Sequence, residues 1–253
     1  MAARRERVAR VVGERGHIVI AELALELGVS EMTVRRDVAQ LEQDGRVVSF
    51  YGGVRAAHSD NRPGPFAQRA SQEQRAKVRI ARRAAELVSE ETAIAIDAGS
   101  TGAKLALELT SANRLRVVTA SVPVITAFLD AHAAEVVALG GTLRRDAQSF
   151  FGPSTVAAAS NLQVDTYFMG AGAASERGVF VSLDGDAQLK RQLMAVASRV
   201  VLVCDSTKFS MRAMTRVCGW DAIDVIVTDD RIDEETLAML RDSGVDVILV
   251  PAG

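Results

Sequence analysis

The sequence holds few of the residues that build disulfide frameworks or metal sites. It contains two cysteines, Cys204 and Cys218, and three scattered histidines, His17, His58 and His132. Neither set has the spacing of a disulfide framework or of a metal-binding motif. We therefore expect reduced thiols and no metal or other cofactor.

Long apolar runs and an excess of one charge are also missing. No stretch reaches the roughly 18 apolar residues of a membrane helix, and the N-terminal segment MAARRERVARVV has no apolar core. The formal net charge is -2 and no polybasic tail is present, so any contact with nucleic acid has to come from a local patch. These features predict a cytoplasmic protein without membrane contacts.

The sequence does contain a clear change of pattern along its length. Residues 4–55 have the periodicity of three short helices and a hairpin. The stretch SDNRPGP, residues 59–65, then supplies two prolines and a glycine without periodicity, as linkers do. We predict a small N-terminal domain over residues 1–57, a linker over 58–75 and a larger domain over 76–253.

The larger domain alternates short apolar runs with helical segments. Each run ends in polar residues or glycine, which is typical of strands buried on both faces of a parallel sheet. The pattern predicts an α/β fold with a mainly parallel sheet and helices on both sides. The seven runs are AIAID (93–97), RVVTAS (116–121), EVVALGG (135–141), TYFMGAG (166–172), VVLVCDS (200–206), VIVTDD (225–230) and VDVILV (245–250).

Ligands of such sheets bind outside the carboxyl ends of the strands. There the sequence places Asp97, Ser100 and Thr101 after the first run and Lys208 after the fifth. The segment DAGSTG, residues 97–102, sets glycines and two hydroxyls between a strand and a helix. Backbone N–H groups and the helix dipole at such a turn hold anions. The alternative is that Ser100 or Thr101 only caps the helix.

The small domain contains the stretch ELALELGVSEMTVRRDVAQLEQDGRVV, residues 22–48. We expect its first helix to end at Gly28, because glycine adopts the left-handed conformation of a helix end. The second helix is expected to begin after Ser30, which is a good N-cap residue. Two helices joined by so short a turn are typical of a helix-turn-helix.

The buried face of the second helix determines which of its residues point outward. Apolar residues recur at helical spacing from Val34 to Leu41 and predict that face. Thr33, Arg35 and Arg36 then point away from the core, in the first two turns. Guanidinium groups there bind guanine edges or phosphates when a helix enters the major groove of DNA. The alternative, favoured for an isolated arginine pair, is that both are simply solvated.

The segment GRVVSFYGG, residues 45–53, predicts a hairpin after the two helices, which makes the pattern a winged helix-turn-helix. The whole stretch over residues 4–54 resembles the N-terminal domain of the DeoR family of bacterial transcriptional regulators. This resemblance implies that residues 18–37 form the helix-turn-helix and that the helix from Glu31 contacts operator DNA.

The hairpin departs from the family pattern at two positions. Family members usually carry arginine and histidine where this chain has Ser49 and Tyr51. We therefore expect this hairpin, which is the wing of the domain, to bind DNA phosphates less strongly than the wing of other family members. The residues that we expect to contact DNA are Ser30, Thr33, Arg35, Arg36, Arg46 and Tyr51.

The larger domain resembles the same family in the stretches IDAGSTGAKLA (96–106), VVTAS (117–121), LGGTLRRDAQSFFGP (139–153), DGDAQLKRQLM (184–194), VCDSTKFSMRA (203–213) and VTDD (227–230). The C-terminal domain of that family is similar in fold to ribose 5-phosphate isomerase and to coenzyme A transferases. The resemblance therefore implies a Rossmann-like α/β sensor domain that binds a phosphorylated sugar or a related metabolite.

The turn after the first strand is the expected phosphate loop of this sensor. We assign Gly99, Ser100, Thr101 and Gly102 to the loop itself. Asp97 is expected to orient the loop or a hydroxyl group of the sugar.

Three further residues are expected at the same site. Lys208 is the expected counter-ion of the phosphate, and a surface lysine beside Asp205 is the alternative. Asp186 and Lys190 match a glutamate and a lysine of the family pattern and are expected to border the pocket, although an i,i+4 surface pair explains the same spacing. The family commonly has asparagine where this chain has Ala120, so the identity of the effector does not follow from the resemblance.

These observations predict a transcriptional regulator, most simply a repressor of a carbohydrate operon. A phosphorylated sugar is expected to control its affinity for double-stranded operator DNA, and a homodimer or homotetramer is expected because two-fold operators need two recognition helices. The alternative is a sugar-phosphate isomerase fused to a DNA-binding module, with Asp97, Asp205 and Lys208 as its acid-base groups. Because a similar fold does not transmit activity, we expect no enzyme.

Overall fold

The computed structural model of the chain describes residues 2–15, 17–44, 46–50, 52–56, 64–89, 92–112, 114–129, 131 and 134–252. The chain divides into two compact units, Met1–Arg62 and Pro63–Gly253. Among the residues described, none of the helices combines the length and the apolar character needed to cross a membrane.

In its described residues, the smaller unit packs three helices against a three-stranded antiparallel sheet. The three helices and the hairpin predicted from the sequence are present, and a short strand that was not predicted pairs with the hairpin. In chain order the elements are α1 (Ala2–Arg15), β1 (His17–Val19), α2 (Ile20–Leu27), α3 (Glu31–Gln43), β2 (Val47–Phe50) and β3 (Gly53–Ala56).

The turn between α2 and α3 has the conformation that the sequence predicts. Gly28 ends α2 with a φ of 66°, in the left-handed region where glycine has no Cβ to clash. The Ser30 side chain accepts a hydrogen bond from the Thr33 N–H at 3.3 Å and so begins α3. The apolar face from Val34 to Leu41 is buried, which confirms the predicted orientation of α3.

A charged contact on the inner side of α3 holds this helix against α1. Asp37 is 5% exposed, and the Nε atom of Arg4 donates a hydrogen bond to its carboxylate at 2.5 Å. A carboxylate buried at this position needs such a partner, since an unpaired buried charge is strongly destabilising. The pair therefore helps to fix the direction in which the outer residues of α3 point.

The larger unit alternates strands and helices along the chain. Its strands are β4 (Ala93–Ile96), β5 (Leu115–Thr119), β6 (Ala134–Ala138), β7 (Thr142–Arg144), β8 (Ser149–Phe151), β9 (Val164–Met169), β10 (Ala173–Ser175), β11 (Gly178–Val181), β12 (Ala197–Val203), β13 (Thr215–Cys218), β14 (Val225–Asp229) and β15 (Asp246–Val250). Its helices are α4 (Phe66–Ser71), α5 (Gln74–Ala85), α6 (Ser100–Glu108), α7 (Val122–Phe128), α8 (Pro153–Ser160), α9 (Asp184–Ala195) and α10 (Glu234–Asp242), with short 3-10 helices at Ser206–Ser210 and Trp220–Ala222.

Seven strands form one parallel sheet in the order β15-β14-β12-β9-β4-β5-β6. They correspond to the seven apolar runs of the sequence, which confirms the predicted parallel α/β fold. In β9, Tyr167 and Met169 belong to the core on one face of the sheet, and Phe168 belongs to the core on the other. Because both faces of the sheet are buried, the sequences of its strands are continuous runs of apolar residues.

The sheet order places a topological switch point between β4 and β9. The chain runs from β4 through β5 to β6 and then returns to add β9 on the opposite side of β4. The connections that follow β4 and β9 therefore leave in opposite directions and open a crevice at the carboxyl ends of the two strands. Asp97 follows β4 and Gly170 follows β9, so both residues border this crevice.

Short elements that the apolar runs do not predict surround the main sheet. β7 pairs with β8 in a hairpin, and β10, β11 and β13 form a second antiparallel sheet. Helix α4 lies within the segment predicted as a linker, residues 58–75, and the Phe66 N–H donates to the Asp146 carbonyl at 2.7 Å. This part of the segment therefore packs on the larger unit.

Candidate functional site

A cleft of about 300 Å³ lies at the switch point between β4 and β9. Its volume is at the lower end of the range for small-molecule sites. The structure brings together every residue that the sequence assigns to the effector site. The lining includes Asp97, Gly99, Ser100, Thr101, Gly102, Asp186, Lys190 and Lys208.

The loop after β4 presents the start of a helix to the cleft. Helix α6 begins at Ser100, and Gly99 before it provides no side-chain cap. Ser100 and Thr101 lie inside the first turn, so the alternative that one of them caps the helix is wrong. The N–H groups of a first turn have no partners within their own helix. Together with the helix dipole, they can bind an anion in the cleft.

Gly102 lets the first turn of α6 approach the end of β4 closely. A Cβ atom at this position would lie 2.5 Å from the carbonyl oxygen of Asp97 and 3.3 Å from Cγ2 of Ile96. The first contact is with backbone, which cannot move aside as a flexible side chain can. The absence of a side chain at residue 102 therefore sets the shape of the loop.

We expect Gly102→Ala to lower the free energy of unfolding by about 1–3 kcal/mol, because the added methyl overpacks against backbone. The gain in helix propensity, at most about 1 kcal/mol, does not offset this loss. Urea unfolding measures the difference. Gly140→Ala is the matched control, since a Cβ atom there meets nothing within 4 Å. Equal stability of the two variants would contradict the close approach of α6 to Asp97.

Lys190 on α9 is the cation that neutralises Asp97. Its Nζ atom donates one hydrogen bond to Asp97 Oδ2 and another to the Gly170 carbonyl at 2.8 Å. The Gly170 N–H donates to the same Oδ2 atom at 2.9 Å, so the carboxylate joins the ends of β4 and β9. Lys190 is only 6% exposed. The alternative of a surface pair with Asp186 is wrong, because Lys190 reaches inward.

Asp186, one turn earlier on α9, pairs with Arg144 on β7. The Arg144 guanidinium donates to both carboxylate oxygens, at 2.9 and 3.0 Å, in the bidentate geometry that makes such pairs specific. Arg144 also lines the cleft, and the sequence reasoning did not single it out. Arg144 lies in the stretch LGGTLRRDAQSFFGP, which resembles the family. That position was the signal by which it could have been found.

In the part of the chain that the structure describes, the buried Lys208 has no oxygen atom as a hydrogen-bond partner of its side-chain amine. It is 6% exposed, and among the described residues the Met211 sulfur, at 3.4 Å, is the hydrogen-bond acceptor of its Nζ atom. A thioether sulfur is a weak acceptor, whereas a lysine ammonium has three donors to satisfy. The alternative of a solvated surface lysine beside Asp205 is therefore wrong, and the side chain is open to an anionic ligand.

Arg69 on α4 is a further cation of the cleft, which the sequence reasoning placed in the linker. Its Nε atom is buried and has no hydrogen-bond partner among the described residues. Its Nη1 atom lies 3.7 Å from the position that a Cβ atom on Gly99 would take, so the guanidinium stands beside the loop. Burial lowers the pKa of Arg69, and the nearby Asp97 carboxylate opposes that shift.

Lys77 on α5 holds the chain segment that carries Arg69. Its Nζ atom donates to the carbonyl oxygens of Arg69 and Gln72, each at 2.6 Å, and lies 3.8 Å from Asp205 Oδ2. Burial lowers the pKa of Lys77 to about 8, against the attraction of Asp205. The main chain of α4 is thereby linked to Asp205, two residues beyond the end of β12.

The charges around the cleft favour an anionic ligand. Among the described residues, four cationic side chains and three carboxylates line it. The carboxylates are paired with Lys190 and Arg144. Lys208 and Arg69 have no carboxylate partner among the residues that the structure describes. No group of three or more histidine, cysteine, aspartate or glutamate side chains that could hold a metal ion occurs in the described ranges.

Ala120, which replaces the usual asparagine of the family, lies beside the cleft but is not among the described residues that line it. It is 3% exposed and belongs to the main core of the larger unit. Its carbonyl accepts a hydrogen bond from the Phe150 N–H at 2.8 Å. The replacement therefore changes the core behind the cleft rather than its surface.

The outer face of α3 carries the two adjacent arginines. Both are exposed. Arg35 pairs with Glu31 at 3.7 Å, whereas Arg36 has no ion-pair partner among the described residues. The hydroxyls of Ser30 and Thr33 lie 2.9 Å apart at the start of the helix. These four side chains at the start of α3 are polar or basic, as contacts with DNA in a major groove require.

Two residues near the wing have partners inside the smaller unit, which the sequence reasoning missed. Arg46 donates to both carboxylate oxygens of Glu6, at 2.8 and 2.9 Å. Ser49 donates to Glu42 through its N–H at 2.8 Å and its hydroxyl at 2.7 Å. Tyr51 lies outside the described residues. The start of the wing is therefore fixed to α1 and α3.

Two protein-family models match the chain. The DeoR-like helix-turn-helix domain matches residues 4–60. The DeoR C terminal sensor domain matches residues 72–230. Together they confirm the resemblance seen in the sequence.

Relatives of known name align over nearly the full length of the chain. A putative aga operon transcriptional repressor of Escherichia coli O157:H7 is 32% identical, over 98% of this chain and 93% of that protein. The HTH-type transcriptional repressor CsqR of Escherichia coli K12 is 30% identical, over 97% and 94%. The glycerol-3-phosphate regulon repressor of Escherichia coli K12 is 26% identical, over 93% of each chain. All three are named as repressors, not as enzymes.

Solved structures resemble the chain only distantly. Ribose 5 phosphate isomerase A from Neisseria gonorrhoeae aligns with a TM-score of 0.40 and 18% identity, over 58% of this chain and 56% of that one. The eIF2B beta chain from Chaetomium thermophilum aligns with a TM-score of 0.43 and 16% identity, over 60% and 48%. Likenesses at this level support no conclusion about activity. The family models and the full-length relatives identify the family: the chain belongs to the DeoR family of transcriptional regulators.

Proposed function

We propose that the chain represses a carbohydrate-metabolism operon and that a phosphorylated sugar or a related anion, bound in the cleft, controls its affinity for operator DNA. Family membership supports DNA binding by the smaller unit and ligand sensing by the larger one. Relatives named for the aga operon and for the glycerol-3-phosphate regulon support the carbohydrate context. The function belongs in the cytoplasm, where operator DNA is found.

The main observation in support of the proposal is the environment of the Lys208 amine. Its amine is buried in the cleft, and its only acceptor among the described residues is the Met211 sulfur. Burying a charged group without a good partner is unfavourable. A phosphate oxygen supplies the strong, charge-assisted acceptor that this amine lacks. The first turn of α6 and Arg69 provide further donors for the same phosphate.

The remaining polar groups suit the body of a sugar. We assign the phosphate to the loop Gly99–Gly102 and a sugar hydroxyl to Asp97, whose carboxylate is held in place by Lys190. Asp186 borders the pocket and is oriented by its bidentate partner. Side chains fixed by ion pairs in this way need little reordering when a ligand binds, which favours affinity.

On the smaller unit, we propose that α3 enters the major groove. Ser30 and Thr33 then lie at the helix N-terminus, where they and the backbone contact phosphate, and Arg35 and Arg36 reach base edges or phosphates. Arg46 can reach phosphate only by giving up its ion pair with Glu6.

The regulator acts as a homodimer or homotetramer under this proposal, because two-fold operators are read by two recognition helices. The effector acts by binding one arrangement of the protein more tightly than the other. Such coupling is typically worth about 1–3 kcal/mol, or about a 5- to 150-fold change in operator affinity.

The proposal is tested by thermal unfolding of the full chain with pairs of sugars that differ only by a phosphate group. A ligand at 100 times its dissociation constant adds about 2.7 kcal/mol of stability, so a phosphorylated effector raises the melting temperature and its unphosphorylated partner does not. The same compound is then expected to change binding to DNA from around the gene cluster of the protein. A shift caused only by unphosphorylated compounds would overturn the phosphate assignment. Failure to bind any such DNA at low salt would overturn the repressor assignment.

A further inference from the structure

An exposed apolar side chain lies on the helix that we propose to enter the major groove. Met32, the second residue of α3, is 67% exposed. Single exposed apolar residues are common on protein surfaces, so exposure alone decides nothing. Met32 is distinguished by its direction on the helix and by the side chain beside it.

The buried residues of α3 fix the direction in which Met32 points. At about 100° per residue, Met32 and Arg36 each lie about 160° around the helix axis from Val34, on either side of the outward direction. Val34 is fully buried. Arg35 lies only about 100° from Val34 by the same geometry, and it turns towards Glu31, its ion-pair partner at 3.7 Å. Met32 and Arg36 therefore point most directly away from the core in the first two turns.

The spacing of this pair matches neighbouring base pairs. Four residues rise about 6 Å along a helix, and successive base pairs are about 3.4 Å apart. A helix lying along the groove thus sets the two side chains over base pairs no more than about two steps apart. The guanidinium fork of Arg36 fits the O6 and N7 atoms of guanine, and the apolar group that the major groove offers is the C5-methyl of thymine. The unbranched thioether of Met32 adapts readily to such a contact.

We infer that Met32 reads sequence by contacting the C5-methyl of a thymine within about two base pairs of the guanine bound by Arg36. The inference rests on the proposed DNA binding by α3 and adds an apolar, base-specific contact to its polar ones. Removing the thymine methyl is expected to weaken binding about three- to fivefold, the effect of exposing one methyl-sized group to water.

The test uses a duplex that the full chain selects from a random pool. Each thymine within two base pairs of a selected guanine is replaced in turn by deoxyuridine, which lacks only the C5-methyl. The wild-type chain is expected to lose about three- to fivefold in affinity at one of these positions. Met32→Ala is expected to bind both duplexes alike. Met214→Ala is the matched control, because Met214 is 84% exposed on the larger unit, and it is expected to keep the preference of the wild type.

The outcomes separate this inference from the proposed function. If the wild type binds the selected duplex but shows no loss with deoxyuridine, or if Met32→Ala shows the same loss, the inference is overturned and the proposed function stands. If selection recovers no duplex even at low salt, the proposed DNA binding fails and the inference fails with it.

Discussion

Arg36→Ala is expected to weaken binding of the full chain to its operator by about 5- to 150-fold. A bidentate contact between a guanidinium group and guanine is worth about 1–3 kcal/mol of discrimination. Arg36 points outward from the first turns of α3 and has no ion-pair partner among the described residues. Because substitutions at such exposed positions usually change stability by no more than about 0.5 kcal/mol, the loss is expected in DNA binding alone.

Titration of operator DNA at several fixed salt concentrations measures this effect. Arg83→Ala is the control, since Arg83 is an exposed arginine on α5 that pairs with Glu86. Arg36→Lys separates two kinds of contact, because lysine keeps the charge but loses the planar fork. If the contact is to phosphate, lysine restores affinity, and alanine lowers the salt slope by about 0.9. Affinity of Arg36→Ala within twofold of the wild type would contradict entry of α3 into the groove.

The main sheet could be predicted from the sequence because its strands are buried on both faces. The end of β12, from Val200 to Val203, is almost fully buried and appears in the sequence as the apolar run VVLV. The topology rule then locates the cleft without further information, since ligands bind at the carboxyl ends of parallel strands. Asp97 and Lys208 were found in this way.

The partners of the cleft residues could not be predicted from the sequence. Asp186 and Lys190 are four residues apart on a helix, which suits a local pair. Their actual partners are Arg144, 42 positions away from Asp186, and Asp97, 93 positions away from Lys190. Local spacing contains no information about which strand end lies under α9. The family pattern placed both residues at the cleft, which they line, whereas their spacing suggested only a pair with each other.

Arg69 was missed as a cleft residue because the signals of a linker and of a helix start overlap. Pro65 is the residue that precedes α4, and proline is tolerated at the start of a helix as readily as in a loop. The small strands were missed for a related reason. β7 and β10 have three residues each, too few to show the alternation by which strands are recognised.

Lys208→Met is expected to weaken effector binding by at least about 30-fold. The variant is therefore expected to stay bound to its operator at effector concentrations that release the wild type. Truncating one partner of a buried, hydrogen-bonded charge pair costs about 2–5 kcal/mol. Methionine has a similar length but supplies no charge and no donor for phosphate. DNA binding without effector is expected to stay unchanged, since Lys208 lies in the cleft of the larger unit.

Thermal unfolding with the phosphorylated effector, followed by DNA titration at the same effector concentrations, measures this loss. Lys104→Met is the matched control. Lys104 lies on α6, is half-buried and is not among the described residues that line the cleft. The control variant is expected to keep the effector-induced rise in melting temperature, whereas Lys208→Met is expected to lose it.

The stability of Lys208→Met without ligand shows whether this lysine is needed to bind the ligand or to stabilise the fold. Replacing buried charges by apolar residues of similar volume is often neutral or stabilising by about 1–4 kcal/mol. Because Lys208 has only a sulfur acceptor among the described residues, its replacement is expected to leave the unliganded protein equally or more stable. A structural lysine would give the opposite pair of results, a less stable unliganded protein and an intact effector response. Equal or higher stability together with a lost response would mean that the unfavourable burial of this amine is retained because it recognises an anion.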